Sequence, residues 1–342
     1  MGVSASSKGG DRTVRVEDVA REAGVSPITV SRALRTPELV KAETRQRVAD
    51  AVARTGYVVN SIASSLRSGQ SSFVSVFVAS LENPHYAAAV QGMIDVFEGS
   101  RFRLTFSQAG YAEDLSAAQI HAMLPFRPAA IVFAGIVRDE GARQYLQSLA
   151  VPVMEMWGET PDPVDMLVIS PGSEGGRLLG DHIGRQDCRR IAYIGHDSSR
   201  TRQRIDGLTG ALAAHGTPLS LLLATEGTTD MADGIAAVDA VLARLPDCDA
   251  MIFGTDVMAA GALVRLEQLD IPVPSRIAVA GYGNLFFAEH SRPSMTTVHT
   301  APHEVGRSVG RMLLERLNTG RVTQPVIQVP LHLEIRASTL RR

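Results

Sequence analysis

Tryptophan occurs once in this 342-residue chain, at Trp157, and cysteine twice, at Cys188 and Cys248. Two cysteines without a C-x-x-C partner exclude a disulfide framework and a cysteine-built zinc site, and point to reduced thiols in a cytoplasmic protein. No apolar run approaches the roughly 20 residues of a membrane span. The first ten residues, MGVSASSKGG, lack the apolar centre of a signal peptide and read as a flexible tail. No G-x-G-x-x-G or G-x-x-x-x-G-K-[ST] motif occurs, so dinucleotide and nucleotide binding have no signature here. Neither H-E-x-x-H nor G-x-S-x-G is present. His299 and His303 are four apart, but Pro302 intervenes and no third ligand follows, so they read as surface or packing residues. No metal, cofactor or enzymatic activity is expected.

The chain is 45% hydrophobic and 20% charged, an ordinary composition for a folded protein long enough to hold more than one domain. Its net charge of −2 conceals an asymmetry. Residues 1–68 hold eleven Lys and Arg against seven Asp and Glu, and the remainder is acidic. A basic head on an acidic body suits a head that meets phosphates.

That head is patterned for helices. Val16, Val19, Ala20 and Ala23 fall on one helical face, and Gly24 supplies the stop. Ser26 is a suitable N-cap and Pro27 a suitable first helical residue. The second helix is expected to turn Val30, Ala33 and Leu34 inward. Pro27, Ile28, Ser31, Arg32 and Arg35 then occupy the outer face. Two short helices around a Gly-containing turn describe a helix-turn-helix, whose second helix enters a DNA major groove. An ordinary helical hairpin with a solvated outer face gives the same pattern. A third helical run spans Thr44 to Arg54, with Val48, Ala51 and Val52 inward and Gly56 as its stop. Asn60 to Arg67 can form two further turns, too few to be stable alone, before a Gly69–Ser72 linker.

The order DVAREAGVSPITVSRAL, TRQRV, GYVVN and IASSLRSG resembles the lac repressor family. The resemblance implies a hinge helix that orders on DNA, with Leu66 as an apolar wedge in the minor groove and Ala63 allowing close approach. Ile28, Arg32 and Pro27 are expected at base edges. Arg32 is the best direct reader, of guanine, because Pro27 and Ile28 offer no hydrogen-bonding side chain. Ser26, Thr29, Ser31, Thr44, Tyr57 and Asn60 are expected to hold phosphates.

From Phe73 onward, short β-rich runs alternate with helical candidates, first over Phe73–Met156 and then in a second series beginning near Met166–Ile169. This predicts two doubly wound parallel sheets. The expected fold is therefore an all-α helix-turn-helix head on an α/β core of two doubly wound parallel-sheet lobes. The resemblance makes that core periplasmic-binding-protein-like, with a sugar-type ligand between the lobes and three chain crossings. The expected boundaries are a tail at 1–12, the head at 13–59, a hinge helix and linker at 60–71, and an effector-binding and dimerisation core at 72–342. Within the core, the first lobe spans about 72–168 and 301–329, and the second about 169–300 and 330–342.

Ligands of open α/β sheets bind beyond the carboxyl ends of the strands. That rule nominates the loops at Ser80–Tyr86, Gln108–Tyr111, Met156–Gly158, His196–Arg204, Gly254–Asp256 and Gly281–Phe286. They offer Asn83, Glu155, Trp157, Arg200, Arg202, Arg204, Asp256 and Asn284, a set suited to a small polyhydroxylated anion. Trp157 also fits simple lobe packing, Glu155 also fits a solvent-facing position, and at most two of the three arginines can point inward. The stretches NPHY, QAGYAED, PVMEMWGETPDPVDMLV, DSSRTRQRIDG, TDVMAAGA and VAGYGN resemble the family's gluconate-responsive branch. In that branch Arg200, Arg204, Asp256, the loop at Asn284 and, in some relatives, Arg177 contact the effector. Departures from the family pattern fall at Ile169–Gly172, Thr255 and Gly283–Asn284.

The expected function is that of a homodimeric transcriptional repressor. It would bind a near-palindromic double-stranded operator and answer to a gluconate-like sugar acid. A cytoplasmic sugar-binding protein without DNA function is the alternative, and so is a regulator of a different sugar or sugar phosphate. An α/β enzyme acting on sugars has no supporting motif.

Overall fold

The structure, a computed structural model, describes residues 14–57, 71–110, 114–124, 127–225 and 230–341. The expected tail, Tyr111, and Asn60, Ala63 and Leu66 of the expected hinge helix lie outside the described residues. The chain divides into two compact units, Met1–Gly69 and Gln70–Arg342.

In the first unit, α1 (Val16–Ala23), α2 (Pro27–Arg35) and α3 (Ala42–Thr55) enclose a small core of Val19, Ala20, Ala23, Val30, Val48 and Ala51. The turn between α1 and α2 is made by Gly24 at φ 63°, a left-handed conformation that glycine adopts without a Cβ penalty. Arg47 of α3 locks the turn by donating to the carbonyls of Ala23 at 2.6 Å and Gly24 at 3.2 Å. Leu34 does not turn inward as its spacing suggested. It is exposed, because α2 runs only two and a half turns before a 3-10 turn at Pro37–Leu39 and buries Val30 alone.

The second unit contains two six-stranded sheets. The first, in the order β11-β5-β4-β3-β1-β2, uses β1 (Phe73–Val78), β2 (Arg103–Gln108), β3 (Ala130–Phe133), β4 (Val153–Met156), β5 (Met166–Ile169) and β11 (Val326–Gln328). The second, in the order β12-β10-β9-β8-β6-β7, uses β6 (Ile191–His196), β7 (Leu219–Thr225), β8 (Ala250–Phe253), β9 (Ala278–Gly283), β10 (Thr296–His299) and β12 (His332–Glu334). All pairings are parallel except β10 with β12. Along the central strands the side chains alternate between two faces, and nearly all are buried. Val74, Val76 and Val78 enter the core on one face of the first sheet, while Phe77 stacks on Phe133 at 5.1 Å on the other. Both faces are thus covered by helices, as a doubly wound sheet requires.

Around the first sheet run α4 (Pro84–Phe97), α5 (Ala117–Met123), α6 (Glu140–Ser148) and α11 (Pro302–Thr319). Around the second run α7 (Gly172–Gly184), α8 (Ser199–Ala214), α9 (Met231–Arg244) and α10 (Asp256–Gln268). The chain crosses between the sheets after β5, after β10 and after β11. One strand differs from its sequence assignment. Met166–Ile169 does not begin the second series but pairs with β4 and closes the first, so the crossing follows it. No described helix is long and apolar enough to cross a membrane.

Helix α7 begins at Gly172, and its first turns contain Gly172, Gly175 and Gly176, which carry no helical signal. Those positions are glycine for close packing. A Cβ on Gly176 would sit 1.9 Å from the carbonyl oxygen of Arg204 in α8. Gly176→Ala is therefore expected to force α7 and α8 apart and cost about 1–3 kcal/mol or more. A thermal unfolding midpoint equal to wild type would show that the helices do not approach so closely.

Candidate functional site

The carboxyl ends of the two sheets face a common cleft enclosing about 650 Å³, including its open mouth. Asn83, His85 and Tyr86 reach it from the loop after β1 and the start of α4. His196, Ser198, Arg200 and Arg204 come from the β6–α8 connection, and Gly254, Thr255, Tyr282 and Leu285 from the loops after β8 and β9. An inner recess shares His85, Arg200, Arg204 and Tyr282 with this cleft and adds Trp157, Ser170, Gly172 and Thr300.

Local structure places the cations. Ser198 caps α8 by accepting from the Thr201 amide at 3.2 Å, which starts the helix one turn before Arg204. Residues four apart share a helix face, so Arg200 and Arg204 both meet the cleft. Arg204 donates to the Gly254 carbonyl at 2.9 Å and lies 3.8 Å over the Tyr282 ring. Arg200 donates to the Tyr86 hydroxyl at 3.1 Å, reaching from the second sheet's helices to the first's. Arg202, between them, turns outward to pair with Asp197. The His85 ring lies 4.5 Å from that of Trp157, and Tyr86 meets Trp157 edge-on at 5.2 Å. Burial, reinforced by Arg200 and Arg204, pushes the His85 pKa down to about 3, so its imidazole is neutral at physiological pH. No acidic side chain occurs among the described lining residues.

Of the eight proposed effector contacts, Asn83, Trp157, Arg200 and Arg204 are brought together, and the other four are not. Glu155 is fully buried, accepting from the amides of Val137 and Val164 at 2.8 Å each, and burial raises its pKa. Asp256 is likewise fully buried, accepting from the Leu285 amide at 2.7 Å and the Thr297 hydroxyl at 2.5 Å. It shapes the loop that carries Tyr282 and Leu285 rather than facing the cleft. Arg177 stands on the outer side of α7, paired with Glu174 and Asp181. Asn284, at φ 52°, spends its amide on His299 and Arg336. The departure at Thr255 has a structural use, since its hydroxyl caps α10 by accepting from the Met258 amide at 3.2 Å. His85, Tyr86 and Tyr282 were missed, although their position after β1 and β9 satisfied the strand-end rule.

In the head, Ile28 is 71% exposed at the start of α2 and Arg32 is exposed on the same helix. Ser26 accepts from the Thr29 amide at 3.2 Å, and the two hydroxyls lie 2.9 Å apart, so both side chains serve the cap. Pro27 is exposed, Ser31 and Thr44 are half-buried, and Tyr57 packs against the head core.

The first unit is a helix-turn-helix with Arg32 exposed on its second helix, and the second unit holds a cleft between two sheets. Residues 15–60 match the bacterial regulatory proteins of the lacI family, and residues 181–339 match the periplasmic binding protein-like domain. The chain thus joins a lacI-family DNA-binding domain to a periplasmic binding protein-like domain, the make-up of a DNA-binding transcriptional regulator. It is 29% identical to the HTH-type transcriptional regulator GntR of Pseudomonas aeruginosa, across 95% of each chain. A lacI-family regulator from Silicibacter pomeroyi superposes with a TM-score of 0.86 at 28% identity, over 96% of this chain and 100% of that one. The regulator GntR of Chromobacterium violaceum superposes at 0.72 with 27% identity, over 78% of this chain and 99% of that one. All three of these relatives are transcriptional regulators.

Asp256 yields a pH prediction. Burial pushes its pKa from 3.8 up to about 6. A carboxyl with a raised folded pKa binds its proton more tightly folded than unfolded. Stability therefore falls as pH rises from about 4 to about 6. Asp256→Asn can keep an acceptor for the Leu285 amide and carries no charge. Relative to this variant, wild type should lose stability across that window and then level off. Parallel melting-temperature profiles for the two proteins would contradict the assignment.

Proposed function

We propose that the protein is a cytoplasmic homodimeric repressor whose operator affinity falls when a gluconate-like sugar acid enters the cleft. The observation that carries the effector class is the pair of arginines, Arg200 and Arg204, that line both the cleft and its inner recess. A neutral sugar is best held by acidic side chains that accept its hydroxyl protons, whereas this lining favours a ligand that brings its own negative charge. Arg200 and Arg204 take the carboxylate, and Trp157, His85 and Tyr86 cover the carbon chain. The GntR name of two relatives agrees with the gluconate-type motifs in the sequence.

On DNA, a two-fold dimer sets two α2 helices in successive major grooves of a near-palindrome. Arg32 reads a guanine, Ile28 and Pro27 contact apolar base edges, and Ser26, Thr29, Ser31, Thr44, Tyr57 and Asn60 position the head on phosphates. The 60–71 segment joins head to core as a hinge, with Ala63 and Leu66 in the minor groove. The effector acts only through its different affinity for the DNA-competent and released states, and that difference weakens operator binding reciprocally.

Two measurements test this. Arg32→Ala should abolish discrimination between operator and random duplex while leaving the core folded, and unchanged specificity would remove Arg32 from the recognition role. Because Trp157 is the only tryptophan, its fluorescence reports the cleft directly. Gluconate should change it, and Arg200→Ala should raise the required concentration about 10- to 100-fold. Equal titrations for the two proteins would discard the carboxylate grip.

A further inference from the structure

Trp157 is 4% exposed, and its indole N–H is buried without an acceptor among the described residues. Its backbone lies at φ 70°, a left-handed conformation that a bulky residue adopts only under constraint. Filling the recess explains neither feature. A phenylalanine would pack there without an orphaned donor, and buried donors in folded proteins are nearly always answered. Among the described lining residues, Arg200 and Arg204 can only donate, and none is a carboxylate. Its other hydroxyls belong to Ser170, Tyr282 and Thr300, and Thr300 is placed between His85 and the Gly283 carbonyl. None of these groups accepts from the Trp157 N–H.

We propose that Trp157 is a specificity-determining residue whose indole N–H donates to an oxygen of the bound sugar acid. The ring face meanwhile covers the adjoining C–H groups. This rests on the sugar-acid reading above and narrows it. The ligand must present an acceptor oxygen at the recess, and a group that can only donate, such as an ammonium, is rejected there. The strained backbone is the local cost of aiming the ring inward, and Gly158 follows because a Cβ at that position would meet Ile136 at 2.2 Å.

The single tryptophan allows a clean test in the full-length protein. Incorporating the benzothiophene analogue of tryptophan replaces the ring N–H by sulfur at this one position and preserves shape. Gluconate affinity, measured by calorimetry, should fall roughly 5- to 20-fold. The melting temperature of the ligand-free protein should stay the same or rise, because an unanswered donor has been removed. Trp157→Phe should lower gluconate affinity in the same direction. Unchanged gluconate affinity with a lowered ligand-free melting temperature would overturn the proposal, since it would make the N–H a structural donor. Wild type that binds neither gluconate nor 2-ketogluconate would remove the sugar-acid reading, and this inference with it. Wild type that binds as tightly as the analogue protein would overturn the inference alone.

Discussion

Two guanidinium groups, Arg200 and Arg204, stand on one face of one helix at the mouth of a buried recess. Both line the cleft and its inner recess, and like charges on one helix face repel. The surrounding structure absorbs this in three ways. Arg204 is tied to the Gly254 carbonyl and lies over the Tyr282 ring. Arg200 is tied to the Tyr86 hydroxyl. His85, a third potential cation, is held neutral. The outcome is a preorganised site of the kind the proposed sugar-acid effector requires, and α8 is held against α7 by the close contact at Gly176.

The same geometry gives the proposed effector leverage. Its polar end is met by residues of the second sheet's loops and its carbon chain by those of the first, and Arg200 already spans the two through Tyr86. An anion that takes Arg200 competes with a neutral phenol, and charge-assisted hydrogen bonds are roughly twice as strong as neutral ones. In the proposed mechanism, ligand binding and the relation between the lobes are linked at this side chain. Only the three crossings after β5, β10 and β11 join the sheets covalently, so a contact within the cleft can bias their arrangement.

Much of this was legible in the residues. Short β-rich runs alternating with helical candidates gave both sheets, and cap and turn chemistry at Gly24, Ser26 and Pro27 gave the head. The strand-end rule with i, i+4 spacing located Arg200 and Arg204. The rest failed for physical reasons. Glu155 and Asp256 are chemically indistinguishable from sugar-binding carboxylates, but each is consumed by buried donors that only the folded backbone brings near. Arg177 shares its helix with cleft residues but stands on the opposite side, where Glu174 and Asp181 hold it. Leu34 looked interior because its helical spacing continued past the point where α2 has a partner. The strand Met166–Ile169 was placed in the wrong series because a parallel strand gives no sign of which sheet it joins. The glycines of α7 hid a helix whose defining property is close contact.

The claim that joins head to cleft is that an anion at Arg200 and Arg204 weakens DNA binding. The most direct test is equilibrium binding of the purified protein to the DNA upstream of its own gene, at fixed salt, with gluconate, 2-ketogluconate or glucose added. Tight, salt-sensitive binding that a sugar acid weakens and glucose leaves unchanged is the expected result. Tight binding that glucose weakens and neither sugar acid alters would contradict the account.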